Sequence, residues 1–180
     1  MKNLQFKQLL LLSDTQKKAN QFLFQKRFNL ITADDNSVGK STLAKLLLWT
    51  FGCEPDFDST WKSTDCKCLV DFSIDGTNYK ILRYQNFISL KEENQEILKY
   101  TNIGGDYSKK FAELVDFKVL LPKRGSDETE LVTPPPAYYF LPFYMDQKNS
   151  WSKTWNSFGK LGQFDSWQKT VIKYHLGYLS

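Results

Sequence analysis

Nine consecutive residues, 34–42, have the order Asp-Asp-Asn-Ser-Val-Gly-Lys-Ser-Thr, in which glycine is followed by lysine and two hydroxyl side chains. At the start of a helix, this combination supplies closely approaching backbone N–H groups, a point charge and a hydroxyl that can ligate a metal. These are the groups that bind the phosphates of a nucleotide and its Mg²⁺ ion. The segment therefore predicts a phosphate-binding P-loop, with ATP and Mg²⁺ as its ligands.

The pattern assigns a role to each residue of the loop. Gly39 lets the backbone come close to the phosphates, and Lys40 reaches the β- and γ-phosphate oxygens and is the candidate catalytic residue. Ser41 gives its hydroxyl to Mg²⁺, and Thr42 lies near the α-phosphate. The other predicted nucleotide contacts in the loop are Asn36, Ser37 and Val38.

Two flanking elements must position this loop. An apolar run at 28–33 predicts a strand before it, and the spacing of Leu43, Leu46 and Leu47 predicts a helix that ends near Phe51. This strand–loop–helix context favours the P-loop over the alternative, a chance Gly-Lys-Ser-Thr at an ordinary helix N-terminus.

The loop departs from the usual pattern at its beginning. Asp34 stands where the pattern G-x-x-x-x-G-K-[ST] has its first glycine, and Ser37 stands where many P-loops have a further glycine. Aspartate tolerates left-handed backbone conformations better than most residues, so the turn is expected to form. It also adds a negative charge near the phosphates.

Composition sets the class of protein. The 180 residues are 41% hydrophobic and include 14 Phe, 9 Tyr and 5 Trp, which predicts a single domain or lobe with a substantial core and argues against disorder. The net charge of +4 permits nucleic-acid binding without indicating it. The apolar run at 9–12 is too short to span a membrane, so we expect a cytoplasmic protein without membrane association.

The three cysteines, Cys53, Cys66 and Cys68, do not form a disulfide framework. Cys66 and Cys68 alternate along an expected strand and so share one face. The only histidine, His175, is far away in sequence, and no second ligand pair accompanies the C-x-C motif. Structural thiols in a reducing compartment are the favoured interpretation over a metal site.

Hydrophobic periodicity predicts the remaining elements, with Asp75-Gly76 as a hairpin turn inside an antiparallel meander at about 67–100. The expected strands lie at 4–12, 21–24, 28–33, 67–74, 78–84, 86–91, 96–100 and 137–145. The expected helices lie at 43–51, 107–116 and about 150–176, and 122–136 is expected to be a loop.

This order of elements resembles the N-terminal lobe of an ABC-type ATPase head of the SMC/Rad50/RecN/RecF kind. The resemblance rests on Asn29-Leu30-Ile31 and residues 39–43, on Asn36, which matches the asparagine of G-x-N-x-x-G-K-[ST], and on Gln147, at the place of the Q-loop glutamine. It implies an α/β P-loop NTPase lobe with a mixed sheet plus an antiparallel β-meander, spanning residues 1–180 as one unit.

The resemblance also implies a metal site. In such heads the Q-loop glutamine and the P-loop serine complete the Mg²⁺ shell, which assigns Gln147 and Ser41 as metal ligands. The Q-loop further senses the γ-phosphate and couples it to an attached partner. The alternative for Gln147 is a solvated turn residue after a strand.

Several motifs of a complete head are missing. The chain has no LSGGQ-like signature, no apolar run that ends in Asp-Glu and no histidine after such a run. In the resembled family these lie in a second lobe, which follows an insert. We therefore expect half of a head that binds ATP without efficient turnover, completed by a second ATPase lobe or a second copy. DNA repair, chromosome organisation and anti-phage defence all use such heads.

Two other functions stay open. A self-sufficient small P-loop NTPase or kinase would use 138–146 as its Walker B strand and Asp146 at the metal, although Pro142 is disfavoured in a central strand. A nucleotide-gated interaction module would use the aromatic end of the chain. The aromatic residues in question are Trp151, Trp155, Trp167, Tyr174 and Tyr178.

Two pairs of basic residues are candidate contacts for DNA phosphates. They are Lys26-Arg27 and Lys123-Arg124, and both fall in predicted loops. Charged pairs on loops are more often simply solvated, so DNA is only a possible partner.

Overall fold

The computed structural model describes residues 2–32, 34–35, 39–125, 130–148 and 155–178. The strands are β1 (Leu4–Ser13), β2 (Lys18–Leu23), β3 (Cys66–Ile74), β4 (Thr77–Tyr84), β5 (Phe87–Glu92), β6 (Ile97–Tyr100), β7 (Leu121–Pro122) and β8 (Leu131–Val132). The α-helices are α1 (Lys40–Thr50), α2 (Asp106–Val115), α3 (Ala137–Phe140) and α4 (Trp167–His175). Short 3-10 turns lie at Trp61–Thr64, Leu141–Phe143 and Leu161–Gln163.

Six strands form one sheet in the order β2-β1-β3-β4-β5-β6, and every neighbouring pair is antiparallel. One row of aligned residues crosses four strands through Leu9, Val70, Ile81 and Leu90, and all four are buried. Alternation of buried and outward residues along a strand produces such a row. The predicted meander and its Asp75-Gly76 turn are confirmed.

Phe51, directly after α1, lies at the centre of the core and is fully buried. Its ring makes edge-to-face contacts with Phe6 of β1, Phe72 of β3, Phe111 of α2 and Phe140 of α3. Such aromatic pairs add to the free energy gained from burial. One side chain therefore joins the sheet to three helical segments.

A buried arginine fixes the C-terminal end of α1. Arg83 of β4 is 1% exposed, and its guanidinium donates to the carbonyls of Trp49, Cys53 and Gln85. It also pairs with the Glu54 carboxylate at 2.7 Å and stacks 4.2 Å from the Trp49 ring. Since the last helical carbonyls have no partner within the helix, the contact with the Trp49 carbonyl is favourable for this cation, and it ties the end of α1 to the sheet.

The predicted strand at 28–33 does not form in the described part of this segment. Residues 28–32 are irregular, and Phe28 and Leu30 are 90% and 89% exposed. The Asn29 side chain instead closes a turn, accepting from the Gln25 N–H at 2.6 Å and donating to the Gln25 carbonyl at 3.1 Å. An apolar run needs a neighbouring strand to complete its hydrogen bonds, and none of the described strands pairs with it. The mixed sheet stays a prediction.

The predicted strand at 137–145 is wrong, because α3 and a 3-10 turn occupy most of it. The N–H groups of Tyr138 and Tyr139 donate to the carbonyls of Pro135 and Pro136, which begins the helix. Proline suits a helix start, and Pro142 lies in the 3-10 turn that follows. Residues 137–141 are all buried, so the period of two on which a strand depends is absent.

The helix predicted at about 150–176 is much shorter than expected. Within the described residues 155–178 it consists of α4 and one 3-10 turn, and 149–154 lie outside the described residues. Before α4 the chain packs back on the lobe, where Phe158 bridges to Pro55 and the Gly159 N–H donates to the Glu54 carbonyl at 2.7 Å. These long-range contacts replace helical hydrogen bonds.

His175, at the end of α4, is enclosed by aromatic rings. Its Nε2 lies 3.1 Å from the Tyr138 carbonyl, to which it donates, and its buried Nδ1 has no hydrogen-bond partner among the described residues. The surrounding rings include Phe117, Tyr139 and Trp155. Burial lowers the pKa of His175, because the charged imidazolium loses its hydration there.

We predict that Arg83→Met lowers the free energy of unfolding by about 3 kcal/mol, since it removes the buried hydrogen bonds to the Trp49 and Cys53 carbonyls, takes the partner cation from Glu54 and removes the aromatic stacking. Urea denaturation followed by far-UV circular dichroism measures this change. The matched control is Lys80→Met, an exposed residue of the same strand that pairs with Asp71, for which surface pairing predicts less than about 1 kcal/mol. Equal losses in the two variants would contradict the role given to Arg83.

We predict that the single histidine titrates below the ordinary histidine pKa of 6.5 in the folded chain. The unfolded chain then binds the proton more readily, so stability falls as the pH drops from about 6.5 towards the folded pKa. Nuclear magnetic resonance of the imidazole gives the pKa, and urea denaturation at several pH values gives the stability. His175→Gln should remove this part of the pH dependence. A folded-state pKa at or above 6.5 would contradict the prediction.

Candidate functional site

The N-terminus of α1 is left available to an anion. Gly39 precedes the helix in the left-handed conformation, with φ 86° and ψ 13°, and its carbonyl accepts from the Leu43 N–H at 3.0 Å. Within the described residues no side chain caps this end, and the first turn carries no acid. Among the described residues, a Cβ at Gly39 would meet no atom within 4 Å, so there is open space beside the backbone at this position. Uncapped N–H groups beside open space are suited to phosphate oxygens.

Lys40 lies over the loop. Its side chain is half-buried, and the ammonium donates to the backbone carbonyl of Asp35 at 2.9 Å. This acceptor is neutral, so a phosphate oxygen would be a stronger partner for the same cation. Asp34 and Asp35 are exposed. The predicted contacts Asn36, Ser37 and Val38 lie outside the described residues.

Ser41 and Gln147 line the same cleft, although 105 residues separate them in the sequence. The cleft has a volume of ≈ 360 Å³, and both side chains are exposed within it. The structure therefore brings together the two residues to which the resemblance assigns Mg²⁺. Gln147 is in a turn, as both interpretations of it require. The other residues that line the cleft are Ala44, Lys45, Tyr144, Met145, Asp146 and Lys148.

Asp146, beside Gln147, is 2% exposed and held by several partners. Its carboxylate lies 3.4 Å from the Lys45 ammonium and accepts from the Lys148 N–H at 3.0 Å and from the Tyr144 hydroxyl at 3.4 Å. Burial, together with the Asp146 charge, raises the pKa of Tyr144, so this phenol stays protonated and donates. The Asp146 N–H donates to the Ser157 hydroxyl at 3.2 Å.

Sequence reasoning missed Lys45. The signal available was its spacing, because Lys45 follows Ser41 by four residues and the two therefore share a face of the helix. Nothing in the sequence indicates that the partner is Asp146, since that contact spans a hundred residues. Within the part of the chain that the structure describes, no group of three or more His, Cys, Asp and Glu side chains could hold a metal ion.

The cleft fits a nucleotide with its metal ion. Uncapped helix N–H groups, the Lys40 ammonium and the open space at Gly39 are chemically suited to phosphates. A serine hydroxyl and a glutamine amide oxygen are oxygen ligands, which Mg²⁺ prefers, and Mg²⁺ commonly takes only one or two protein ligands beside phosphates and water. The assignments of Ser41 and Gln147 to the metal stay predictions.

The candidate DNA contacts and the described aromatic residues at the chain end do not line the cleft. Arg124 pairs with Asp165 at 2.8 Å, which offsets its charge, whereas Lys26 and Arg27 are exposed. Most of the described aromatic residues at the chain end pack internally: Trp167 against Tyr138, Trp155 against His175 and Tyr174 against Phe117. Tyr178 is 77% exposed, and Trp151 lies outside the described residues. None of the described helices has the length and apolar character needed to cross a bilayer.

Comparison with known proteins identifies two relatives. The chain is 27% identical over 180 residues to the Lamassu protein LmuB of Bacillus cereus (strain VD014), covering 99% of this chain and 31% of that protein. It is 27% identical over 136 residues to a Lamassu protein LmuB of Bacillus sp. strain NIO-1130, covering 75% of this chain and 23% of that protein. No protein-family model matches. The chain thus shows homology to part of LmuB and spans less than a third of the length of the curated relatives it matches.

The cysteines lie away from the cleft. Cys53 and Cys68 are buried, and Cys66 is half-buried with its Sγ 3.8 Å from that of Cys68. The hydrogen bond from the Cys68 thiol lowers the pKa of Cys66, whereas the pKa of Cys68 is raised by the same contact and by burial. Burial also raises the pKa of Cys53. The burial of Cys53 and Cys68 agrees with their interpretation as structural thiols, whereas Cys66 is only half-buried.

We predict that iodoacetamide modifies Cys66 before the other two thiols in the folded chain. The thiolate is the reactive form, and Cys66 combines a lowered pKa with partial exposure. Peptide mass spectrometry after brief treatment at pH 8 measures the order of labelling, with denatured chain as the control in which all three should react. Faster labelling of Cys53 or Cys68 in folded chain would contradict this assignment.

Proposed function

We propose that this protein is the ATP-binding N-terminal lobe of an ABC-type, SMC-like ATPase. The observation that carries the proposal is the cleft that is lined both by Ser41, at the uncapped start of α1, and by Gln147. A chance Gly-Lys-Ser-Thr at a helix start would not require a distant glutamine beside its serine. The sequence motif and the placement of these two side chains therefore support the same function.

The residues of the chain have separate tasks in binding. The N–H groups at the start of α1 and the Lys40 ammonium bind phosphate oxygens, and Gly39 leaves the space through which the phosphates approach. Ser41 and Gln147 would hold Mg²⁺, and Thr42 lies next to the α-phosphate. When bound, Mg²⁺ neutralises charge on the phosphates. Lys40 stabilises the charge that develops during phosphoryl transfer.

Hydrolysis also requires a residue that orients or activates water. We assign this residue to a second lobe or a partner subunit, since the chain carries no second-lobe motif. Phe28, Leu30 and Ile31 support such a partner, because these apolar side chains lie exposed just before the loop. We infer that the partner, another lobe or a second copy, covers this segment when the head assembles.

We propose anti-phage defence as the biological process. Its support is the homology to LmuB, since Lamassu proteins act in anti-phage defence. A multi-protein defence system also makes partner proteins an expected part of the mechanism. DNA is a further proposed partner, with the exposed Lys26 and Arg27 better placed for it than Arg124, which is paired with Asp165.

The two rival functions lose support in the structure. The small NTPase needs a Walker B strand before Asp146, and α3 with its 3-10 turn occupies that segment. The interaction module needs an exposed aromatic end, and Trp167 is buried while Trp155 and Tyr174 pack against their neighbours. Asp146 nevertheless lines the cleft, which leaves it within reach of a metal ion bound there.

We predict that Lys40→Ala weakens Mg-ATP binding about 10- to 100-fold, because a charge-assisted hydrogen bond to phosphate is lost. The fold should survive, since the hydrogen bond that the Lys40 side chain makes to the described residues is a single exposed one, to the Asp35 carbonyl. Isothermal titration calorimetry with ATP and Mg²⁺ measures the affinity, and circular dichroism checks the fold.

The charge-matched control is Lys99→Ala, which removes an exposed lysine from β6 and should leave the affinity within about 2-fold of wild type. Unchanged affinity in folded Lys40→Ala would refute the P-loop assignment. Phosphate release measured in parallel separates the two NTPase hypotheses. Binding without turnover supports a lobe that needs a partner, and turnover that depends on Lys40 supports a self-sufficient enzyme.

A further inference from the structure

One largely buried ion pair connects the first turns of α1 to the turn that carries Gln147. Asp146 immediately precedes Gln147, and its carboxylate lies 3.4 Å from the ammonium of Lys45, one helical turn beyond Ser41. The Asp146 side chain is 1% exposed and that of Lys45 is 18% exposed. An ion pair this far from water is screened little by salt, so it can hold its two segments in place.

The turn itself is shaped by the same carboxylate. Asp146 accepts from the backbone N–H of Lys148 at 3.0 Å, two residues further along, which is the hydrogen bond of an Asx-turn. Gln147 is the residue between them, so its backbone lies at the tip of a closed turn. Its side chain is exposed in the cleft.

A second, exposed ion pair lies at the other end of the turn. The ammonium of Lys148 pairs with the carboxylate of Asp56 at 3.0 Å, while Lys45 donates to the backbone carbonyl of Asp56 at 2.5 Å. Lys45 therefore contacts both Asp146 and the segment that anchors Lys148. Residues 146–148 are held by their two ends, and the side chain between those ends is Gln147.

We propose that Lys45 and Asp146 are positioning residues that hold Gln147 at the distance from Ser41 needed for both to bind one Mg²⁺ ion. This inference rests on the proposed function, because it concerns the same metal site. It assigns Asp146 a role opposite to that of a Walker B aspartate. Here the carboxylate is neutralised by Lys45 and acts through Gln147 rather than on the metal.

The two roles of Asp146 give opposite results when Lys45 is replaced. If Asp146 positions Gln147, then Lys45→Met releases the turn and weakens the binding of Mg²⁺ to the nucleotide-bound protein. If Asp146 is itself at the metal, Lys45→Met removes a competing cation and leaves Mg²⁺ binding unchanged or tighter. Methionine keeps much of the length of the lysine side chain, so the comparison changes charge more than packing.

The experiment measures the affinity of the full chain for a fluorescent ATP analogue, first without metal and then as a function of Mg²⁺ concentration. Lys45→Met and Asp146→Asn should each bind metal-free nucleotide within about 2-fold of wild type, and Gln147→Ala, which removes the proposed metal ligand itself, is the reference for loss of Mg²⁺ binding. Each should need about 10-fold more Mg²⁺ for half-maximal effect, the size of loss typical of residues that orient a metal ligand. A purely structural role would weaken metal-free and metal-bound nucleotide equally.

Double variants test whether the effect passes through Gln147. Asp146→Asn combined with Gln147→Ala should need no more Mg²⁺ than Gln147→Ala alone, because the positioned group is already absent. A further loss in the double variant, or unchanged Mg²⁺ dependence in Lys45→Met, would overturn the proposal in favour of Asp146 at the metal. Lys99→Met is the control for loss of a positive charge.

Hydrogen exchange in the nucleotide-free chain provides a readout that does not depend on ATP. Lys45→Met should speed exchange at the Lys148 N–H, which donates to Asp146, and leave the N–H groups of β3 unchanged. Unchanged exchange at Lys148 would overturn the proposal.

If wild type and Lys40→Ala both fail to bind the analogue, the proposed function fails and this inference with it. If Lys40→Ala weakens nucleotide binding but Lys45→Met leaves its Mg²⁺ dependence unchanged, only the inference is rejected.

Discussion

The buried guanidinium of Arg83 is the interaction on which the placement of α1 depends. It contacts the carbonyls at the C-terminal end of the helix, the Glu54 carboxylate and the Trp49 ring, all from the middle of the sheet. A buried charge is costly unless it is fully hydrogen-bonded, so the surrounding groups must keep one arrangement. A helix of 11 residues behaves as a rigid rod, and fixing its C-terminal end also fixes the position of its N-terminal end.

The two ends of α1 differ in burial and in the hydrogen bonding of their backbone groups. Its C-terminus is buried beside Phe51, with its carbonyls satisfied by Arg83 and by the chain that follows. Its N-terminus is exposed and, within the described residues, has no side-chain cap and no acid in the first turn. The polar groups that remain available are thus concentrated at one point, beside Lys40 and Ser41. This asymmetry is what a rigid phosphate-binding element requires.

Local signals in the sequence predicted the antiparallel meander well and the second half of the chain poorly. Clear alternation in β3 and β4 and the Asp75-Gly76 turn specify their pairing, because neighbours in the meander are close in sequence. The segment 137–145 is buried throughout, and its apolar run does not distinguish a strand from a buried helix. The proximity of Ser41 and Gln147 was expected only from a family resemblance. The Lys45–Asp146 pair depends on tertiary contacts that no local pattern encodes.

The exposed segment before the loop explains why a nucleotide site would lie at a boundary of this lobe. Phe28 and Leu30 are apolar, yet neither packs on the core, and 28–32 pair with no described strand. Burial of such residues is favourable, so a surface that covered them would gain free energy as it approached the loop. That surface would arrive beside Lys40 and Ser41, where the water-activating residue is needed. Assembly and completion of the catalytic site would then be one event, driven in part by apolar burial and in part by nucleotide binding.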